Sequence, residues 1–222
     1  MVPTKVLVSW STGKDAAYAL WQLLQRSGVE IAGLLTTIRA PQQAVTMHEV
    51  GRDLLNAQAE ALGLPLRTLE LPWPCPNEQY ARIMGEAMEQ ARAEGIDTVA
   101  FGDLFLEDVR HYREESLARV GMNALFPLWG RRTDELVREM LAAGLRARIA
   151  CVDTRKLPAS FVGRDLDEAL LAELPPDVDP CGERGEFHTF VWDGPMFRHP
   201  VAVETAGIAQ DGDFAWAELR LS

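Results

Sequence analysis

The stretch "LVSWSTGKDAAYALWQLL", Leu7 to Leu24, decides how this chain folds. An apolar run stops at Ser9-Trp10-Ser11-Thr12-Gly13, meets Lys14-Asp15, and restarts with Ala16, Leu20, Leu23 and Leu24 on one helical face. A strand, a short polar turn and a helix place the turn at the carboxyl edge of a parallel sheet, where open α/β folds bind ligands. The helix directs its free N–H groups and positive dipole end at the turn, which suits an anion. The loop hydroxyls and the Gly13 backbone offer hydrogen bonds to phosphate oxygens, and Lys14 adds a point charge.

Working outward, short apolar runs alternate with helical patterns. Strands are predicted over 5–10, 31–38, 66–72 and 97–103. The helix over 49–64 is closed by Gly63, and Asn77 is positioned to cap a helix whose Tyr80, Ile83, Met84, Ala87 and Ala91 share a face. This rhythm predicts an α/β fold: a parallel sheet with helices on both faces. After Phe126-Pro127 the rhythm loosens. One helix remains, with Thr133 as N-cap, Asp134-Glu135 in its first turn and Gly144 past its end; a strand follows over 146–152, then turn-rich sequence. A boundary is expected near residue 128, giving domains 1–128 and 129–222.

With 222 residues, 47% of them hydrophobic, the chain can build a core without staples. A net charge of −11 opposes a nucleic-acid binder that lives by phosphate contacts. No apolar segment approaches the roughly 18 residues of a membrane span, and "MVPTKVLVSW" lacks a signal-peptide pattern. Cys75, Cys151 and Cys181 are odd in number and form no CxxC, so neither a zinc ribbon nor a disulfide framework is indicated. The expectation is a cytoplasmic protein with idle thiols and no membrane.

Two common phosphate loops are eliminated. A Walker A loop needs glycine at the position of Val8 and Ser/Thr at the position of Asp15; a dinucleotide fingerprint needs three glycines where this loop has one. The loop instead resembles the PP-loop, Ser-Gly-Gly-x-Asp-Ser, of N-type ATP pyrophosphatases, matching at Ser11, Gly13, Lys14 and Asp15 and departing at Thr12 and Ala16. If position 12 requires positive φ, a β-branched residue costs about 1–2 kcal/mol there. Loss of a hydroxyl at Ala16 removes a phosphate contact worth about 1 kcal/mol. The expectation is ATP affinity weakened but not abolished.

Further motifs follow in order: "FGDLFLEDVRHYRE" (101–114), "PLW" (127–129), "FVGRDLD" (161–167) and "DPCGERGEFHTFVWDGP" (179–195). With the loop, they resemble the diphthine–ammonia ligase-like branch of the PP-loop ATPases, in a bacterial-type form, along nearly the whole chain. The resemblance implies a Rossmann-like, five-stranded parallel sheet of the adenine nucleotide alpha hydrolase kind, with a smaller C-terminal α+β domain. It implies ATP-dependent amide formation: a carboxylate is adenylylated, pyrophosphate leaves, and ammonia displaces AMP. ATP and Mg²⁺ are the implied cofactors, and a small-molecule or protein carboxylate plus ammonia the implied partners; a homodimer is compatible.

In that framework Ser9, Ser11, Thr12, Gly13 and Lys14 would hold the phosphates, and Asp15 would ligate magnesium or simply stabilise the helix start. Gly102 would admit a base or ribose, with Asp103 contacting ribose or metal. Glu183 and Glu186 would act on ammonium or a cationic substrate group, His188 would shuttle a proton, and Lys14 would act with them in catalysis. Arg164, Cys181, Gly182 and Thr189 are candidate substrate contacts, with Arg110 and Arg113 as further anion contacts. His48 and His111 read as packing or surface histidines. Two other readings stand beside the ligase: ATP-dependent tRNA thiolation, which needs paired reactive cysteines and a basic surface, and a nucleotide sensor without turnover.

Overall fold

The computed structural model describes residues 2–40, 43–45 and 50–222. The first half alternates as the pattern predicts. β1 (Thr4–Ser9) leads into α1 (Lys14–Leu24), then come β2 (Val29–Arg39), the two-residue β3 (Ala44–Val45), α2 (Arg52–Leu62), β4 (Leu66–Leu71), α3 (Asn77–Ala93), β5 (Thr98–Ala100), α4 (Glu107–Arg119) and β6 (Asn123–Leu125). The five longer-range partners β4-β2-β1-β5-β6 all pair in parallel, and β3 pairs antiparallel with the end of β2. The expected α/β fold with its parallel sheet is therefore the one adopted.

The second half contains α5 (Thr133–Ala142), β7 (Arg146–Asp153), a 3-10 turn (Ala159–Phe161), α6 (Glu168–Glu173), β8 (Phe187–Asp193), β9 (Val203–Asp211) and β10 (Phe214–Leu221). Its four strands form an antiparallel sheet in the order β8-β7-β10-β9.

Alternation along β1 divides the interior. Val6 and Val8 face a core shared by α1, α2, α5 and the second sheet, including Ile149, Phe190 and Val191. Leu7 faces the other side, where Met88, Ala91, Val99, Phe101 and Leu117 pack beneath α3 and α4. The parallel sheet is thus covered on both faces, and one cover is shared with the second sheet.

Some local expectations shift. Leu24 is 47% exposed, because it is the last residue of α1, where the chain turns away through Gly28. Pro76, not Asn77, occupies the N-cap of α3, and Arg132, not Thr133, that of α5. Thr133 instead donates its hydroxyl to Asp179 Oδ2 at 2.7 Å, a tertiary bond that outcompetes capping. Gly63 closes α2 at φ 65°, as a C-terminal glycine should; the start expected at residue 49 lies outside the described residues. Among the described residues no helix is long and apolar enough to cross a membrane.

Candidate active site

Two cavities meet at the loop that follows β1. The smaller, about 100 Å³, is lined by Ser11, Gly13, Lys14 and Asp15 on one side and by Cys181, Gly182, Glu183, Phe187, His188 and Thr189 on the other. The larger, about 410 Å³, is framed by the strand ends at Ser9, Leu35, Val99 and Phe101, by Tyr80, Met84 and Met88 of α3, and by Arg113 and Leu117 of α4. Ser11 lines both.

The loop has an unusual shape. Thr12 takes φ 72°, the left-handed region, and is fully buried. A β-branched residue enters that region at a cost of about 1–2 kcal/mol. Its Oγ1 is buried without a hydrogen-bond partner, so the hydroxyl does not offset the strain. The main chain is tied down instead: Thr12 O accepts from Val191 N at 2.9 Å and from Gln58 Nε2 at 3.1 Å.

Lys14 opens α1 and is only 2% exposed. Its backbone N–H donates to Thr189 Oγ1 at 3.0 Å, its Nζ to Asp15 Oδ2 at 2.7 Å and to the Cys181 carbonyl. The ammonium also sits 5.5 Å from the centre of the Phe187 ring. Burial pulls its pKa down, yet Asp15, with Cys181 and Glu183 adding to it, holds it above the ordinary lysine value. One charged side chain thereby joins the loop to the turn before β8.

That turn is built around Asp179 and Glu186. Asp179 Oδ1 accepts from Cys181 N and Glu183 N, while Glu186 accepts from Asp179 N at 3.1 Å and Arg184 N at 2.9 Å. Gly182 has φ 70°, and a Cβ there would lie 2.7 Å from Phe187 O, so the turn closes only on glycine. The result aims Glu183 inward and keeps Glu186, 2% exposed, within the turn's own hydrogen bonds. Of the two carboxylates expected to act, only Glu183 is on the cavity wall.

Glu183 Oε1 accepts from Leu104 N at 2.7 Å. Burial pushes its pKa up to about 7 against the pull of that N–H, with Asp15 and Asp103 adding repulsion. His188 is pushed down to about 4, first by burial and then by Lys14, so the imidazole is neutral near pH 7. The Cys181 thiol is 1% exposed, donates towards Thr133 O, and is driven far above its usual pKa by burial, which keeps it protonated near pH 7.

Asp103 forms an ion pair with Arg113, Oδ2 to Nε at 2.8 Å, and the guanidinium stacks 4.3 Å from the Phe101 ring centre. Gly102 packs against the first turn of α1: a Cβ there would lie 2.7 Å from Asp15 C and 2.8 Å from Ala16 N. Arg164 lines neither cavity; it makes a two-pronged pair with Glu173 at 2.7 and 2.8 Å. Arg110 stacks on Trp129 and Phe126 and pairs with Glu114. His111 is exposed beside Glu115, and His48 lies outside the described residues. Gln58, Asp179 and Phe187 were not anticipated. Gln58 had a signal, since it shares the buried face of α2 with Leu54, Leu55 and Leu62 and is the polar residue among them.

Among the described residues, no group of three or more His, Cys, Asp or Glu side chains is arranged to hold a metal. Asp15 Oδ1 is nevertheless buried without a hydrogen-bond partner, while Oδ2 is taken by Lys14. One orphan carboxylate oxygen fits a magnesium ion that arrives on phosphates and takes one or two protein ligands.

Residues 4–124 match a family model described as the diphthamide synthase N-terminal domain, and residues 132–220 match one described as the diphthamide synthase C-terminal domain. The chain belongs to the diphthamide synthase family. The diphthine–ammonia ligase of Rattus norvegicus is 30% identical to it across 96% of this chain and 88% of that protein. That of Homo sapiens is 29% identical across 94% and 86%. The diphthine–ammonia ligase of Schizosaccharomyces pombe is 25% identical across 97% of this chain but 39% of its own length. In this family member, residues that carry the resemblance stand on opposite walls of one small cavity: Ser11, Gly13, Lys14 and Asp15 on one side, Gly182, Glu183, His188 and Thr189 on the other.

Proposed function

We propose that the chain is an ATP-dependent ligase that adenylylates a carboxylate and exchanges AMP for ammonia, as the names of its relatives suggest. The observation that carries this is the small charged cavity between the loop and the 182–189 turn, opening past Ser11 onto a larger apolar one. The larger cavity has the volume and apolar lining of a nucleoside site. Phosphates then fall at Ser11, Gly13 and Lys14, beside the N-terminus of α1. Residues 1–128 hold the nucleotide and 129–222 supply the acceptor side.

An acceptor carboxylate oxygen attacks the α-phosphorus, and the bond to pyrophosphate breaks. Lys14 and the α1 N–H groups stabilise charge developing on the leaving group. Asp15 would hold a magnesium ion, which would supply neutralising charge at the same phosphates. Glu183, ionised above about pH 7, accepts a proton from ammonium; the ammonia nitrogen attacks the acyl carbon and AMP leaves. His188, neutral and beside Lys14, orients this acceptor. The thiolation reading is the less favoured one, because Cys151 and Cys181 are buried.

The test is incubation of the protein with Mg-ATP, ammonium and a panel of carboxylates, separating AMP from ADP. AMP with pyrophosphate is expected; ADP, or nucleotide binding without turnover on any acceptor, would overturn the reading in favour of other phosphoryl chemistry or a sensor. Lys14→Ala should lower pyrophosphate release by at least 100-fold, the order expected for a lost charge donor.

A further inference from the structure

Gln58 belongs to none of the sequence motifs, yet its side chain is fully buried and fully engaged. Oε1 accepts from Trp10 Nε1 at 2.9 Å, and Nε2 donates to Thr12 O at 3.1 Å and to Val191 O at 2.6 Å. One amide thus touches the start of the loop, its strained centre, and the strand that carries His188 and Thr189. Trp10 is fixed from its other side as well, its carbonyl accepting from Thr36 Oγ1 at 2.8 Å. Residues in sparsely populated backbone regions persist where their surroundings over-determine them. At Thr12, with φ 72° and an unpartnered hydroxyl, the surroundings that can do so are Gln58 and Val191 N.

We infer that Gln58 is a positioning residue for the nucleotide loop. It holds Thr12 in the left-handed conformation that lets Ser11 and the Gly13 backbone face the small cavity, and it ties that conformation to β8. Glycine at position 12 enters the same region without strain, so dependence on Gln58 follows from the threonine this chain carries. The inference rests on the ATP reading of the loop given above.

A double-mutant cycle tests it, with Mg-ATP affinity measured by calorimetry and folding by thermal melting. Gln58→Met keeps the volume and removes all three hydrogen bonds. It should weaken Mg-ATP at least tenfold in the natural background but no more than threefold when combined with Thr12→Gly. Equal losses in both backgrounds, or no loss in the first, would overturn the inference, because a packing role would not depend on residue 12. Should Gln58→Met fail to fold, Gln58→Glu replaces it: the isosteric carboxyl loses its donor as it ionises, so the deficit relative to wild type should grow from pH 5.5 to pH 8. A deficit that does not change with pH would count against the idea. If the wild-type protein itself does not bind Mg-ATP, the reading of the loop fails, a result distinct from either outcome of the cycle.

Discussion

Ser11 lines both cavities, yet the walls on its two sides differ in kind. The larger cavity is walled by Leu35, Met84, Met88, Val99 and Phe101, residues of the core beneath α3 and α4. The smaller one is walled by Lys14, Asp15, Glu183, His188 and Thr189, drawn from two segments about 170 positions apart. Apolar walls offer contact area and little else. Burial and mutual charge in a confined space shift protonation, as at Lys14, Asp15, Glu183 and His188 on the small side. Under the proposed function, affinity belongs to the larger cavity and reactivity to the smaller.

The largest expected effect that would break this contrast is at Glu183. Glu183→Gln should lower amide formation by about 10²- to 10⁴-fold, the range of a lost general base, and should erase the rise in rate through about pH 7. Linkage gives a second readout. The folded-state pKa lies above the ordinary 4.5, so the folded protein holds a proton that the unfolded chain releases, and stability falls as pH rises from 4.5 to about 7. Gln removes that loss, so the variant should melt higher than wild type at pH 8 and not at pH 4.5. A rate within twofold of wild type would return catalysis to some other group.

Filling the large cavity should act on binding alone. Met84→Trp projects into it from α3, and Mg-ATP affinity should fall about tenfold, or about 1.4 kcal/mol, while the pH dependence set by Glu183 stays in place. A change in that pH dependence, read from rate profiles, would mean that the two cavities are not separable.

A smaller effect is expected from His188. Its pKa near 4 lies below the ordinary 6.5, so the unfolded chain binds a proton that the folded one refuses; its contribution to stability is present above 6.5 and is lost as pH falls towards 4. Proton NMR of the ring should show no titration between pH 5.5 and 8. A midpoint near 6.5 would mean that the ring is solvated and outside the cavity.

The smallest effect is at Arg164. Its pair with Glu173 is partly exposed, with side chains 34% and 56% accessible. Arg164→Ala should change stability by less than about 1 kcal/mol, measured by urea unfolding, and leave AMP formation unchanged. A fall in acceptor affinity would restore Arg164 as a substrate contact.

Legibility followed locality. The alternating elements of the first half were readable because each strand and helix carries its own period; α4 was not, since Leu117 is its one buried residue and the rest of Glu107–Arg119 is mostly charged. In β9 half-buried and exposed positions alternate without a buried one, which leaves no apolar run to notice. At the site, the motif pointed to Glu183 and Glu186 alike. Which one faces the cavity depends on the turn at Gly182 and on backbone donors at Asp179, Arg184 and Leu104, none of which has a spacing rule.

The sequence by itself determined the parallel α/β half, the polar loop at the head of α1, and the suspicion that Thr12 would be strained, because these rest on periodicity and the sterics of one residue. The tertiary structure alone decided that Lys14 is held by Asp15 and the Cys181 carbonyl, that Gly102 makes room for α1, and that Gln58 secures the loop. Those outcomes depend on which distant groups are buried together, and burial, not spacing, selects the partners.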